Sequence, residues 1–161
     1  MKKKWSLFPM FILIVLISYK ITPALAQQDK EILKIKKVIE NYLGSFADLN
    51  SKMSQVSVNY FDIDKDGNAI DYAKFKSLSE DLIHTILKKY VDFSISNLEI
   101  IKSDFQENKA TLEIEFSWKG YNLDTLKGES GKQKRLVSLV KEDNIWKIAK
   151  WSRLGQSKHR E

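Results

Sequence analysis

From Ala110 to Lys119 apolar and polar residues alternate without a break. Ala110, Leu112, Ile114, Phe116 and Trp118 fall on one side; Thr111, Glu113, Glu115, Ser117 and Lys119 fall on the other. Successive side chains of a strand point to opposite faces, so this run is a strand with one wet face and one face that needs a core. Such a strand requires neighbouring strands and a cover. Phe93 to Lys102 supplies one neighbour, with apolar groups on both faces, and Gln106 to Lys109 is the turn between the two. Lys134 to Lys141 (KRLVSLVK) and Ile145 to Ser152 (IWKIAKWS) flank the polar turn Glu142-Asp143-Asn144, which predicts an antiparallel hairpin. Gly120 to Gly131 reads as a loop.

The cover comes from the first half of the chain. Ile32, Ile35, Ile39, Tyr42 and Phe46 are spaced by three or four residues and make one apolar helical face between Asp29 and Asp48. Leu49 to Gln55 is polar and turn-like, and Val56, Val58 and Tyr60 alternate as a short half-buried strand. Tyr72 to Lys89 is a second amphipathic helix, its stripe formed by Phe75, Leu78, Leu82 and Ile86, with Asp71 as its N-cap. The expected fold is α+β, a curved antiparallel sheet wrapped on two or three N-terminal helices.

Residues 1–26 have the form of an export signal. Three lysines are followed by an almost wholly apolar run, Leu7 to Ile17, and by Ala24-Leu25-Ala26. Four of the 27 basic residues lie there and no acid does, so residues 27–161 carry 23 basic against 21 acidic residues, a net charge of +2. The basic balance of the whole chain, +6, is therefore largely targeting charge and does not indicate nucleic-acid binding. No cysteine is present, which excludes disulfides and thiol chemistry. The expected division is a signal peptide at 1–26, one domain at 27–152 and a polar tail at 153–161, in a periplasmic or secreted protein with no stable membrane span after cleavage.

Three stretches resemble the nuclear transport factor 2-like (cystatin-like, SnoaL-like) superfamily. They are the helix ending in FADLN (46–50), the segment YFDIDKDGNAIDYAKF (60–75) and the closing hairpin KRLVSLVKEDNIWKIAKWS (134–152). The resemblance covers about residues 29–152. It implies a cone-shaped α+β barrel with a pocket at its open end, and it implies that Trp146 and Ile148 pack the sheet. The superfamily includes isomerases, dehydratases, hydrolases, transport adaptors and domains without known activity, so the fold leaves the function open.

The stretch YFDIDKDGNAIDYAKF also has the look of a calcium loop. An EF-hand loop takes ligands at positions 1, 3, 5, 7, 9 and 12, with Gly at 6 and a bidentate Glu at 12. Starting from Asp62, Asp64 and Asp66 fall at 3 and 5 and Gly67 at 6, but position 12 is Ala73; starting from Asp64, position 6 is Ala69 and position 12 is Phe75. Asp62, Asp64 and Asp66 are thus weak metal candidates, and a strand-to-helix turn is the better reading. For acid–base catalysis the two histidines are poorly placed: His84 is mid-helix and off the apolar stripe, and His159 is in the tail. Tyr60, Asp62, Tyr72, Tyr121 and Glu113 are donors or bases by type, although Glu113 falls on the wet face. Trp118 and Trp146 lie in core-type patterns, and Trp151 is less firmly placed.

The candidates for a pocket are Tyr60, Asp62, Tyr72, Trp118 and Tyr121, with no catalytic residue assigned and no cofactor expected. The expected function is an exported, non-catalytic domain that binds a small apolar ligand or a protein partner, with a homodimer formed through the sheet and no nucleic acid. The alternatives are an isomerase- or dehydratase-like enzyme, which requires a buried ionisable group facing the pocket, and a weak calcium-binding protein acting through residues 62–71.

Overall fold

Helix α1, residues 27–44, opens the part of the chain that the computed structural model describes, residues 27–154. The expected signal (1–26) and the last residues of the expected tail, His159 among them, lie outside the described residues. Residues up to Ile35 and from Lys36 onward fall into two compact units. In the first, Lys34 and Glu31 pair at 2.8 Å on the exposed helix. The second holds the rest of α1, helices α2 (Leu49–Met53) and α3 (Tyr72–Lys89), and six strands. Among the described residues no helix is long and apolar enough to cross a membrane.

Four of the strands form one antiparallel sheet in sequence order, β3 (Tyr90–Gln106), β4 (Lys109–Asn122), β5 (Lys127–Glu142) and β6 (Ile145–Arg153). The sheet bears out the period-two reading. Leu112 and Ile114 of β4 and Val137 and Leu139 of β5 are fully buried on its inner face, together with Trp146 and Ile148 of β6. The outer face is wet and cross-paired: Lys102 with Glu113 at 3.3 Å, and Lys132 and Lys134 with Glu115 at 3.0 and 3.6 Å. The β5–β6 turn has φ of 49° at Asp143 and 63° at Asn144. Two consecutive left-handed residues make the type I′ geometry that matches strand twist, and Asp and Asn tolerate it best after Gly.

Several local expectations are corrected. Leu49–Met53 is a helix rather than a turn, because Asp48 caps it: one carboxylate oxygen accepts from the amides of Asn50 and Ser51. Residues 56–60 are not a regular strand. Ser57 Oγ accepts from the amide of Asn59 and donates to Glu142, and the Tyr60 amide bonds to the Ser57 carbonyl, so the backbone turns there. Only Val56 pairs, in a parallel bridge with Ile148. The strand lies further on, in the hairpin of β1 (Phe61–Ile63) and β2 (Ala69–Asp71). Asp71 does cap α3, accepting from Lys74 N at 2.8 Å. The buried line of α3 is Phe75–Ser79–Ile83, whereas Leu78 and Leu82 are exposed.

The expected loop 120–131 is mostly strand. β4 runs to Asn122 and β5 begins at Lys127, leaving a short connection in which Asn122 Oδ1 accepts from the amides of Asp124 and Thr125. Two of its three glycines have a packing role. A Cβ at Gly131 would stand 2.8 Å from Trp118 Nε1, and one at Gly120 would stand 3.1 Å from Tyr90 Cδ1. Both are places where a ring lies on bare backbone.

Candidate functional site

The same alternation that builds the core also builds a cavity at one end of the sheet. On β4 the inner face continues from Leu112 and Ile114 to Phe116 and Trp118. On β5 it runs in the opposite sense, from Leu139 and Val137 to Arg135 and Gln133, and the register sets Arg135 beside Ile114 and Gln133 beside Phe116. On β6 it passes from Ile148 across a bulge to Trp151 and Arg153, and Arg153 is the direct partner of Arg135. The inner face is therefore apolar at one end and aromatic and cationic at the other. Around that second end lies a cavity of about 290 Å³, closed by Tyr42, Leu43 and Phe46 from α1 and the turn after it, Lys52 from α2, and Leu82 and Ile86 from α3. Tyr90, Phe93 and Ile95 of β3 complete it.

Aromatic rings make most of the wall. Phe93 and Trp118 stack at 6.0 Å between centroids, Tyr90 meets Trp118 edge-on at 5.9 Å, and Phe46 lies 5.0 Å from Phe93. Across the cavity Trp151 packs 4.6 Å from Tyr42 and 6.5 Å from Phe116. The Tyr90 hydroxyl donates to Glu129 at 2.7 Å, and Asn122, itself buried, donates to the other oxygen of the same carboxylate. That pairing holds the Glu129 carboxyl below its usual range, and Glu129 is not part of the lining.

Three cations face this wall, and among the described residues the lining contains no Asp, Glu or His. Lys52 is only 7% exposed, and its ammonium lies 3.9 Å over the Tyr42 ring. Burial pushes its pKa down to about 8. Burial, and then the charge of Arg153, lower the pKa of Arg135, and Tyr42 opposes them. Among the described residues the donors of Arg135 reach neutral acceptors, the Lys134 carbonyl at 2.9 Å and Gln133 Oε1. The Tyr42 hydroxyl is held well above the ordinary phenol range by burial first and by Tyr60 second, while Arg135 and a hydrogen bond with Ser79 act the other way.

Of the residues singled out in the sequence, Trp118 lines the cavity, and Tyr60, Asp62, Tyr72 and Tyr121 do not. Tyr60 is buried, stacked on Phe75 at 4.1 Å, and its oxygen accepts from the Trp151 amide. Asp62, 6% exposed, pairs with Lys150 at 3.1 Å and accepts from Ser152 at 2.8 Å. Tyr72 opens α3 and is half-buried. Tyr121 is exposed on the outer face and donates to the Leu126 carbonyl. Asp64 accepts from the amides of Asp66 and Asn68 in the β1–β2 turn, which passes through Gly67 at φ 89°. Among the described residues no group of three His, Cys, Asp or Glu is placed to hold a metal ion. His84 is exposed on α3, and Glu113 is tied to Lys102 on the outer face.

Solved structures share this arrangement of helices and sheet. One is a protein from Novosphingobium aromaticivorans provisionally described as a scytalone dehydratase: TM-score 0.66, 14% identity, covering 79% of this chain and 85% of that one. Another is a nuclear transport factor 2-like superfamily protein from Salmonella enterica: TM-score 0.57, 16% identity, covering 84% and 99%. This chain has the nuclear transport factor 2-like fold. A ketosteroid isomerase-like protein from Erwinia carotovora shares it as well, with TM-score 0.56 and 15% identity over 78% and 97%. No protein-family model and no curated protein matches the chain. Besides its two tyrosines, the polar residues in the described lining are Lys52, Gln133, Arg135 and Arg153, none of which the sequence singles out for the pocket. A signal was there: the core register of β5, followed back from Leu139 and Val137, arrives at Arg135 and Gln133. Arg153, expected in the tail, is the last residue of β6.

Proposed function

We propose that the chain is an exported, non-catalytic domain that takes a small apolar ligand into the aromatic cavity. The observation that carries this reading is the lining itself. Among the described residues, seven of the fifteen that line the cavity are aromatic, and none is a carboxylate or an imidazole that could serve as a general base. A concave, mostly apolar site with a few polar groups is what small ligands require, and this one lies at the small end of the usual range. Export rests on the form of residues 1–26, and fractionation followed by N-terminal sequencing tests it.

Binding is tested by titrating small aromatic compounds against tryptophan fluorescence, since Trp118 and Trp151 both line the cavity. Saturable quenching is expected. Leu82→Trp should weaken it at least about tenfold, because Leu82 lies at the cavity and is 55% exposed, so a larger ring can fill the entrance without disturbing the core. Absence of saturable binding would overturn the reading.

One observation favours a second reading, the isomerase- or dehydratase-like enzyme. Lys52 is a buried ionisable group facing the cavity, and its pKa near 8 suits proton transfer at neutral pH. Turnover of a carbonyl compound that disappears in Lys52→Met would support the enzyme.

A further inference from the structure

We infer that the ligand is an amphipathic anion, a small ring compound whose carboxylate or equivalent oxyanion is held by Arg135 and Arg153 with Lys52 nearby. This rests on the binding reading above and adds the charge of the ligand to it.

The cationic end of the cavity is costly to build. Like charges directly opposite one another on neighbouring strands repel, and Arg135 and Arg153 are direct partners. A charge taken out of water without a counter-charge is destabilising, and an apolar residue of similar size is usually better for stability. Lys52 is nonetheless buried with only the face of a tyrosine beneath it. Elsewhere on the sheet several lysines have an acid partner: Lys132 and Lys134 have Glu115, Lys102 has Glu113, and Lys150 has Asp62. Inside the cavity, among the described residues, no carboxylate plays that part. The missing counter-charge is what a bound anion would bring.

The surroundings define the rest of the ligand. Trp151 and Tyr42 stand beside the cations, and Trp118 and Phe93 form the opposite wall. A flat apolar body fits between such rings, while the planar guanidinium fork matches a carboxylate in a way an ammonium does not. The volume, about 290 Å³, suits one or two fused rings rather than a long acyl chain.

The test compares 1-naphthoate with its neutral counterpart 1-naphthylmethanol, by calorimetry at pH 7 and low salt, on the full chain without residues 1–26. Naphthoate is expected to bind at least about tenfold more tightly, as charge-assisted hydrogen bonds to a carboxylate allow. In Arg135→Gln/Arg153→Gln the gap should close to about twofold, chiefly through lost affinity for naphthoate. Arg153→Gln alone, at the exposed end of β6, should narrow the gap at least about threefold even if the double variant folds poorly. Equal affinity of the two probes for the unaltered protein leaves cavity binding intact and overturns the anion. Inorganic phosphate matching naphthoate in affinity also overturns it, because the apolar body would then contribute nothing. No binding of either probe overturns both readings.

Discussion

The ammonium of Lys52 lies 3.9 Å over the ring of Tyr42. Around this pair are the guanidiniums of Arg135 and Arg153 and a wall of aromatic rings, with no acid in the lining among the described residues. A cation–π contact recovers part of the cost of burying a lysine, about 0.5–2 kcal/mol, and leaves the rest.

That remainder gives stability a definite pH dependence. In the unfolded chain a lysine keeps its proton to about 10.5, whereas Lys52 in the folded protein releases it near 8. Between those values the unfolded state binds more protons, so stability rises with pH from about 8. Tyr42 and Tyr60 act in the opposite direction. Their folded pKa values are raised, in both mainly by burial, so their contribution is complete below about 10 and is lost as pH climbs further. Stability should therefore peak near pH 10, as measured by urea unfolding at each pH. Lys52→Met should be about 1–3 kcal/mol more stable at pH 7 and lack the rising limb. A variant less stable than the unaltered protein at pH 7 would show that Lys52 supports the fold.

The three aspartates of the apparent calcium loop should behave differently from one another. Asp62→Ala leaves Ser152 and Lys150 without their buried partner and is expected to cost about 2–3 kcal/mol. Asp64→Ala removes the side chain that organises the β1–β2 turn and should lower the melting temperature less than Asp62→Ala does. Asp66 enters that turn through its amide, and Asp66→Ala should be close to neutral. Millimolar Ca²⁺ should leave the melting temperature unchanged; a rise lost equally in all three variants would restore the calcium reading.

Gly131→Ala should reach the cavity from behind. Its Cβ would meet the Trp118 indole at 2.8 Å, so the ring must shift toward the cavity. The expected signature is a changed tryptophan emission, a stability loss of about 1–2 kcal/mol and weaker binding of the aromatic probe. Gly120→Ala, whose contact with Tyr90 is looser at 3.1 Å, should show a smaller version of the same effect.

The sheet was legible because its signal is periodic and long. Ala110 to Trp118 alternates cleanly, and the turn at Asp143-Asn144 uses the residues its backbone demands. Shorter elements were decided by single side chains: Asp48 makes a helix of Leu49–Met53, and Ser57 bends what alternation alone reads as a strand. Gly120 and Gly131 sit in strands because Tyr90 and Trp118 need the room, a contact between strands that no local pattern reveals. The α3 stripe was misplaced by a fraction of a turn, since Ser79 occupies the buried line while Leu82 stands at the cavity. The site was obscured for a related reason. Polar residues are normally assigned to water, and here Gln133, Arg135 and Arg153 occupy the core register of their strands, while Lys52 lies on a helix too short to show a face. Tyr60 and Asp62, chosen by residue type, are engaged with the edge of β6 instead.

The most direct test of the cavity and its charge is a crystal structure of the protein with 1-naphthoate. The expected result has the rings between Trp118 and Trp151 and the carboxylate within about 3 Å of a guanidinium nitrogen of Arg135 or Arg153. Naphthoate bound on the outer face of the sheet, or within the cavity with its carboxylate turned away from all three cations, would contradict it.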